Sequence, residues 1–561
     1  MKYITYSFII LLLAISERSY AQTNVSGIIS SNTVWNAAGN PYIVIADVFV
    51  DPGVVLTIDP GVTVKFDFGT SIGVNGTIRA VGTQADPIFF EADTIGYPVE
   101  FYWAGIYITA SAQPFDFTNL SGCFFQYCNF SFSGSPNLYV DLSGNTTLTV
   151  FSLVSLGFDH CYVEFSACGL TGASGSQISN NIFKECTSDY SSTFLIKASQ
   201  NSAIYNNLIY KTGVSTSFGI ISVNKNMSVH NNLFIGNSFV FSNVLNFEDS
   251  CQFYNNTFVD NTVDEFSVAM KINGSSIFKN TFTRNQVGLE TFILKSCDPD
   301  FHNNNILLNP SQLQGQEFEM TASSGAGQTA TEEWNYWGFN DSSSISEVIT
   351  DFYDNAALCN LDFVPFDTSP DTTAPVLPVG YVSKKDLFNN SVRVTWNKNT
   401  ESDLKGYRVY YGGYNGYSFT NFLDAALDTV MDIAGIPISE HVAVTAYDLS
   451  ADGITDQYDG HESWFTNAVE DTTVGIGQAD VSKNKVIVSP NPSTGHFEIN
   501  IPASYNNVML NIFDMEGRKL ISSTASCLAP NFFTIGQQGI YLLQVVTAGS
   551  STGFQKIVVI R

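Results

Sequence analysis

The sequence predicts an all-β chain in which a long coil of stacked short strands precedes strand-rich segments of a different character. One observation is a repeat of 24 to 26 residues through the middle of the chain. A second is composition: only 14% of residues are charged and 14% are aromatic, while Gly, Asn, Ser and Thr are plentiful, which suits strands and tight turns better than helices. A third is a change of character near residue 370, where alternating strands with aromatic residues of their own replace the repeat. At 561 residues the chain exceeds one ordinary core, so several units are expected.

Residues 1–21 read as a secretory signal: Lys2, an apolar run from Phe8 to Ile15, and Ser19-Tyr20-Ala21 as a small-x-small cleavage site before Gln22. The run is too short to span a bilayer, and no other stretch approaches the roughly 18 apolar residues of a membrane helix. The mature chain is expected to carry no transmembrane segment.

The repeat is anchored by Asn181, Asn207, Asn232, Asn256, Asn280 and Asn304, separated by 26, 25, 24, 24 and 24 residues. Two places after each stands Phe183, Ile209, Phe234, Phe258, Phe282 or Ile306. Three places before each stands Ile178, Ile204, Val229, Phe253, Ile277 or Phe301, and twelve before the last five stands Leu195, Ile220, Val244, Val268 or Phe292. All are apolar, as inward columns of a closed coil with rungs about 4.8 Å apart would be. The Asn column is expected to mark a bend, each amide bonding to the next, and Asn237, Asn261, Asn285 and Asn309 form a second column five places on.

With N-N-x-F as its signature, the repeat resembles the pectate-lyase-like right-handed parallel β-helix family. Val48 to Phe90, with Gly61, Gly76 and Gly82 at turns, and then Trp103-Ala104-Gly105-Ile106, is similar to the first coils of such proteins. Asn335-Tyr336-Trp337-Gly338 with Asp351, Asp354 and Pro365 is similar to their closing cap. The resemblance implies a right-handed parallel β-helix over residues 22–368, followed by two small β-sandwich domains.

The first sandwich, residues 369–470, resembles fibronectin type III through the strand Val392 to Trp396, the run Asp403 to Tyr410 and the late strand Val442 to Asp448, and is expected to act as a spacer or adhesive unit. Residues 471–485 read as a linker. Residues 486–561 resemble the type A C-terminal sorting domain of the type IX secretion system. The residues that carry this are Pro490, Asn491, Pro492 and Gly495, Gly517 in Asp514-Met515-Glu516-Gly517-Arg518, Gly539 and Tyr541, and Lys556 with Arg561. The resemblance implies that the type IX machinery is a partner, that the chain crosses the outer membrane, and that it ends at the cell surface or outside.

Charge and cysteine usage exclude other classes. The net charge is −28, which argues against nucleic acid as a partner. Nine cysteines without a C-x-x-C pair give no support to a zinc site, and most are expected to be buried small hydrophobes. The 25-residue spacing of Cys161 and Cys186 predicts adjacent rungs, either as a disulfide or as an unbonded stack.

Many relatives of the resembled family degrade polysaccharides, so catalysis competes with binding. A uronate lyase needs a base and a cation, yet residues 22–368 hold ten basic residues, of which only Arg79 and Arg284 are arginines. His230 and His302 share a phase three rungs apart, too far to share a metal. Asp249, Asp298 and Asp300 leave calcium possible, though solvated carboxylates are the simpler reading, and no other cofactor is expected. Whether the chain is an enzyme is left open, with non-catalytic adhesion or binding of polysaccharide or environmental glycans favoured over a divergent lyase or glycoside hydrolase. The residues two before each Asn should point outward, giving Ser179 and then a ring on five rungs: Tyr205, His230, Tyr254, Phe278 and His302. This strip is the candidate glycan-contact face.

Overall fold

The computed structural model describes all residues except 1–21, 94–102, 134–149, 167–168, 190–194, 216–220, 224, 240–244, 248–249, 264–269, 273, 287–292, 296–299, 310–319, 323–324, 454–456, 471–486, 490–492, 501–506, 515–517, 527–530, 548–549, 552–554 and 560–561. The export signal and the linker therefore lie outside the described residues. The chain is all-β and forms two compact units, Met1–Glu470 and Asp471–Arg561.

The first unit is built on parallel ladders that pair each rung with the next. Sheet I runs from Thr63–Phe66 through Ile182–Lys184 and Leu208–Tyr210 to Asn305–Leu307. Sheet II runs from Ser71–Val74 through Ile196–Ala198 to Ile349–Thr350, and sheet III from Thr33–Trp35 through Ala203–Tyr205 to Phe301–His302. Three-residue strands suffice because each rung needs only enough extended backbone to bond to the rungs on either side. The columns three before and two after each Asn are buried, every member 2% exposed or less. They belong to one continuous apolar core that also includes Trp103 and Trp337.

Two expectations about the columns need correction. In the fourth column only Leu195 lies among the described residues, and the register shows that the inward column of sheet II is one residue later: Ile196, Ile221 and Leu245. The offset is a constant one residue: the strand begins at Ile196, and Leu195 just before it is also buried in the core. The bend is also not at the ladder Asn but one place earlier, where Asn180, Asn206, Asn231 and Asn255 have φ between 54° and 57°. Each N-N pair thus divides the work: the first Asn takes the left-handed turn, which Asn tolerates, and the second points inward.

The inward Asn residues form a hydrogen-bonded ladder. Asn256 Oδ1 accepts from the backbone N–H and the amide of Asn232, while its own amide donates to Asn280 Oδ1 and to the carbonyls of Val229 and Tyr254, all at 2.9–3.0 Å. The ladder continues to Asn335 of the expected cap. Asn237, Asn261, Asn285 and Asn309 repeat it in the second column. Fully satisfied, such a network lets a buried amide replace an apolar residue without leaving an orphaned donor.

Cys128, Cys161 and Cys186 occupy the early rungs of these same two columns. Tyr162 pairs with Ile182, which puts Cys161 beside Asn181 after a rung of only 20 residues. Thr187 pairs with Gly213, which puts Cys186 in the second column beside Thr212. Cys161 and Cys186 are therefore not stacked, and both thiols are free and buried. The column neighbours are Cys128 and Cys161. Burial pushes the Cys123 thiol up to about 11 and the Cys128 thiol well above its usual value, the latter helped by Cys161. Iodoacetamide at pH 8 is expected to spare Cys123, Cys128, Cys161 and Cys186 in the folded protein and to label all four in urea, as read by peptide mass spectrometry. Labelling of any of them under native conditions would contradict this burial.

Residues 371–470 form two four-stranded sheets around a core that includes Trp396 and Tyr407, whose rings meet edge-on at 5.6 Å. This sandwich is docked on sheet I and not held off as a spacer. The outward residues Leu208, Tyr210, Leu233, Ile235 and Val259 are apolar, and Tyr410, Ala443, Trp464 and Phe465 pack on them. Arg284 ties the edge down, pairing with Asp260 at 2.9 Å and donating to the Val379 carbonyl at 3.2 Å. Asn305 exchanges hydrogen bonds with the Asp371 backbone.

The second unit packs a three-stranded sheet and a five-stranded antiparallel sheet around Phe497, Ile499, Leu510, Ile512, Leu543 and Ile557. No described helix is long and apolar enough to cross a membrane.

Candidate functional site

Sheet III sets Tyr205, His230, Tyr254, Phe278 and His302 in one register column. Their side chains are half-buried and lie face to face, with centroids 5.2, 4.8, 5.2 and 5.5 Å apart and planes within 11° of parallel. Outward aromatic residues at strand spacing stack because each face buries apolar area on the next. The faces are spent on one another, so the column presents ring edges along its length. Burial lowers the His230 pKa, outweighing its hydrogen bond with Asn231 and favouring the neutral ring.

The same column changes character below Tyr205. In register there stand Ser179, Asp159 and Gln126, none of them aromatic. A cavity of about 240 Å³ opens at this place. Its polar wall is organised by Asp159, whose Oδ1 accepts from Ser179 (2.8 Å) and Asn180 (2.7 Å) and whose Oδ2 accepts from Gln126 (2.9 Å) and contacts His160 Nδ1 (2.8 Å). Burial alone would raise this carboxyl, but the bonds from His160, Asn180, Gln126 and Ser179 outweigh it and hold the pKa at about 2. The apolar wall comes from the 115–124 segment: Phe115 and Phe124 stack at 5.0 Å, with exposed Phe117 and Leu120 beside them. Gly157 makes the arrangement possible, since a Cβ there would lie 2.6 Å from both Phe115 and Phe124.

The expected strip residues are thus brought together, whereas Asp159, Gln126, Phe115 and Phe117 were missed. Their rungs are 33 and 20 residues long, off the 24-residue period of the Asn columns. The usable signal was the aromatic density from Phe115 to Phe125. Of the calcium candidates, Asp249 and Asp298 lie outside the described residues, and Asp300 contacts His302 at 3.4 Å. No group of three potential metal ligands occurs among the described residues. Arg79 donates to the Leu120 carbonyl at 2.7 Å.

At the end of the coil, burial and then the neighbouring Asp371 charge push the Asp367 carboxyl up to about 6. Burial likewise raises Glu401, Asp403 and Glu462. A carboxyl raised by folding binds protons more tightly when folded, so its stabilising contribution is present below its unfolded value and is lost as pH rises through its folded value. The midpoint for thermal unfolding of the first unit is therefore expected to rise as pH falls from 7.5 to 5. Asp159 acts oppositely and only in stronger acid, its contribution fading as pH falls from about 4 toward 2. A midpoint that falls steadily between pH 7.5 and 5 would contradict the assignment.

In the second unit the motif residues have structural reasons. Gly495 has φ 106°, and a Cβ there would sit 2.7 Å from the Ile535 carbonyl; its own carbonyl accepts from Ile535 N at 2.8 Å. Tyr541 donates its hydroxyl to the Gln537 carbonyl at 2.8 Å, four residues back. Arg518 folds back on Asp514 at 2.8 Å. Gly539 begins the strand Gly539–Thr547, which pairs with Gln555–Val559, matching Leu542 with Lys556. Pro490, Asn491, Pro492 and Gly517 themselves lie outside the described residues, as does Arg561.

Residues 488–560 match the family model described as the secretion system C-terminal sorting domain. Among solved structures, the chain is similar to a two-fibronectin-type-III-domain segment of chicken tenascin, at 11% identity and a TM-score of 0.14 over 33% of this chain and all of that one. It is also similar to the FN1–FN3 domains of chicken CNTN1, at 12% identity and a TM-score of 0.14 over 33% of this chain and 68% of that one. No curated protein matches. The sorting domain makes the type IX secretion machinery a partner of this chain and directs the protein across the outer membrane, to the cell surface or the extracellular space.

Proposed function

We propose that this is a surface-displayed binding protein whose right-handed, pectate-lyase-like β-helix contacts glycan without cleaving it. In this reading residues 1–21 are removed on export, 22–368 form the β-helix, 369–470 a fibronectin type III module, 471–485 a linker and 486–561 the sorting domain. The observation that carries it is the in-register column from Tyr205 to His302. Five rungs of ring edges and hydroxyls on one outer face make an extended amphipathic strip, about 20 Å long at strand spacing. Such a strip suits a polymer lying along the coil axis, since ring edges and hydroxyls meet sugar hydroxyls and CH groups together.

Replacing Tyr205, Tyr254 and Phe278 together with Ser tests this on a polysaccharide-loaded gel. Loss of the retardation shown by the wild-type protein is expected. Equal retardation of a folded triple variant would place the binding face elsewhere.

A second reading, a divergent polysaccharide-degrading enzyme, has one observation on its side. Asp367, raised to about 6 beside the Asp371 charge, has the perturbation of a general acid paired with a second carboxylate. Asp367→Asn should abolish any release of reducing ends if this reading holds.

A further inference from the structure

We infer that the cavity below Tyr205 is a binding site for one neutral sugar residue, a terminal or branch unit of the glycan. The inference rests on the glycan reading and places the recognition step at one end of the ring column. Tyr205 stacks on His230 through one face only, at 5.2 Å and 5°. Its other face looks toward the Ser179 rung, which has no ring, and Tyr205 lines the cavity there. It is the point in the column where an aromatic face meets open space.

The rest of the lining completes an amphipathic cradle. Phe115, Phe117 and Leu120 supply an apolar wall, and Phe117 is 60% exposed, an unfavourable position for a phenyl ring unless something covers it. Opposite stand Gln126, Gln177 and Ser179. Asp159 takes hydrogen bonds from both Ser179 and Gln126, which fixes where the Ser179 lone pairs and the Gln126 carbonyl point. Asp159 is therefore a positioning residue, its oxygens occupied by four neighbours.

Size and charge narrow the ligand. At about 240 Å³ the cavity is smaller than the ~300–1,000 Å³ typical of sites for drug-sized molecules, and it fits a single pyranose ring. Asp159 is the one charged residue among those lining it. An acidic sugar would meet a carboxylate and no cation among the lining residues, with Arg79 turned to the Leu120 carbonyl, whereas a neutral sugar offers an apolar face to Tyr205 or Phe117 and hydroxyls to the opposite wall.

Saturation-transfer NMR on the mature protein, with the methyl glycosides of glucose, galactose, mannose and xylose and with galacturonate as the acidic probe, tests the assignment. At least one neutral glycoside is expected to bind, and galacturonate at least tenfold more weakly. Phe117→Ser, on an exposed ring, and Tyr205→Ser should each weaken that binding at least tenfold, while Lys398→Ala, at an exposed position of the sandwich, should not. The site is overturned if no neutral glycoside binds, if galacturonate binds best, or if both cavity variants bind as well as wild type. Any of these, together with intact retardation of the wild-type protein on polysaccharide gels, would remove the cavity and leave the broader glycan reading standing. Loss of retardation in the wild type would remove both.

Discussion

Replacing Asn256 with Ala is expected to destabilise the coil by about 3–6 kcal/mol, a loss comparable to much of a domain's stability. The amide of Asn256 touches three rungs at once. Without it, the Asn232 backbone N–H and one amide hydrogen of Asn232 lose their acceptor, and the carbonyls of Val229 and Tyr254 lose a donor. Asn256 is fully buried, so water does not replace these partners. Each orphaned buried group costs about 1–3 kcal/mol. A coil is held by neighbouring-rung contacts, so the damage should be local: hydrogen exchange should accelerate at 228–234 and 252–258 more than at 33–66. Gln252→Ala, an exposed position on the same rung, should change stability by no more than about 0.5 kcal/mol. If urea unfolding places Asn256→Ala within 1 kcal/mol of wild type, the ladder does not hold the rungs together.

Deleting residues 486–561 is expected to abolish surface display and leave the protein in the periplasm. Those residues contain the sorting-domain match and form their own core around Phe497, Ile499, Leu510 and Ile557. The first unit has a separate core, so the truncated coil should still fold and the loss should be one of address alone. Protease shaving of intact cells, with immunoblotting of periplasmic and surface fractions, measures it. Undiminished surface exposure of the truncated protein would mean that export is directed from elsewhere in the chain.

Much of the coil was legible because stacking repeats the same environment at the same phase. Wherever rung length held at 24 or 25, from Asn207 to Asn304, the inward columns three before and two after each Asn and the ring column could be counted directly. Counting failed where insertions changed the rung. The 20-residue rung from Cys161 to Asn181 separated Cys161 from Cys186, although their spacing matched the period. The same irregularity hid the cavity, whose walls come from Phe115, Gly157 and Tyr205 on different rungs. Face-to-face ring stacking follows from side-chain torsions that periodicity does not encode. The docking of the sandwich was also out of reach, although the apolar outward residues Leu208, Leu233, Ile235 and Val259 were visible as hydrophobes on a face that should otherwise be polar.

The most direct test of a glycan-binding surface protein is to incubate the mature wild-type chain with a panel of plant and algal polysaccharides and follow retention and chain length together. Retention of at least one neutral polysaccharide with no new reducing or unsaturated ends is expected. Shortening of the retained polymer, or retention of none, would contradict it.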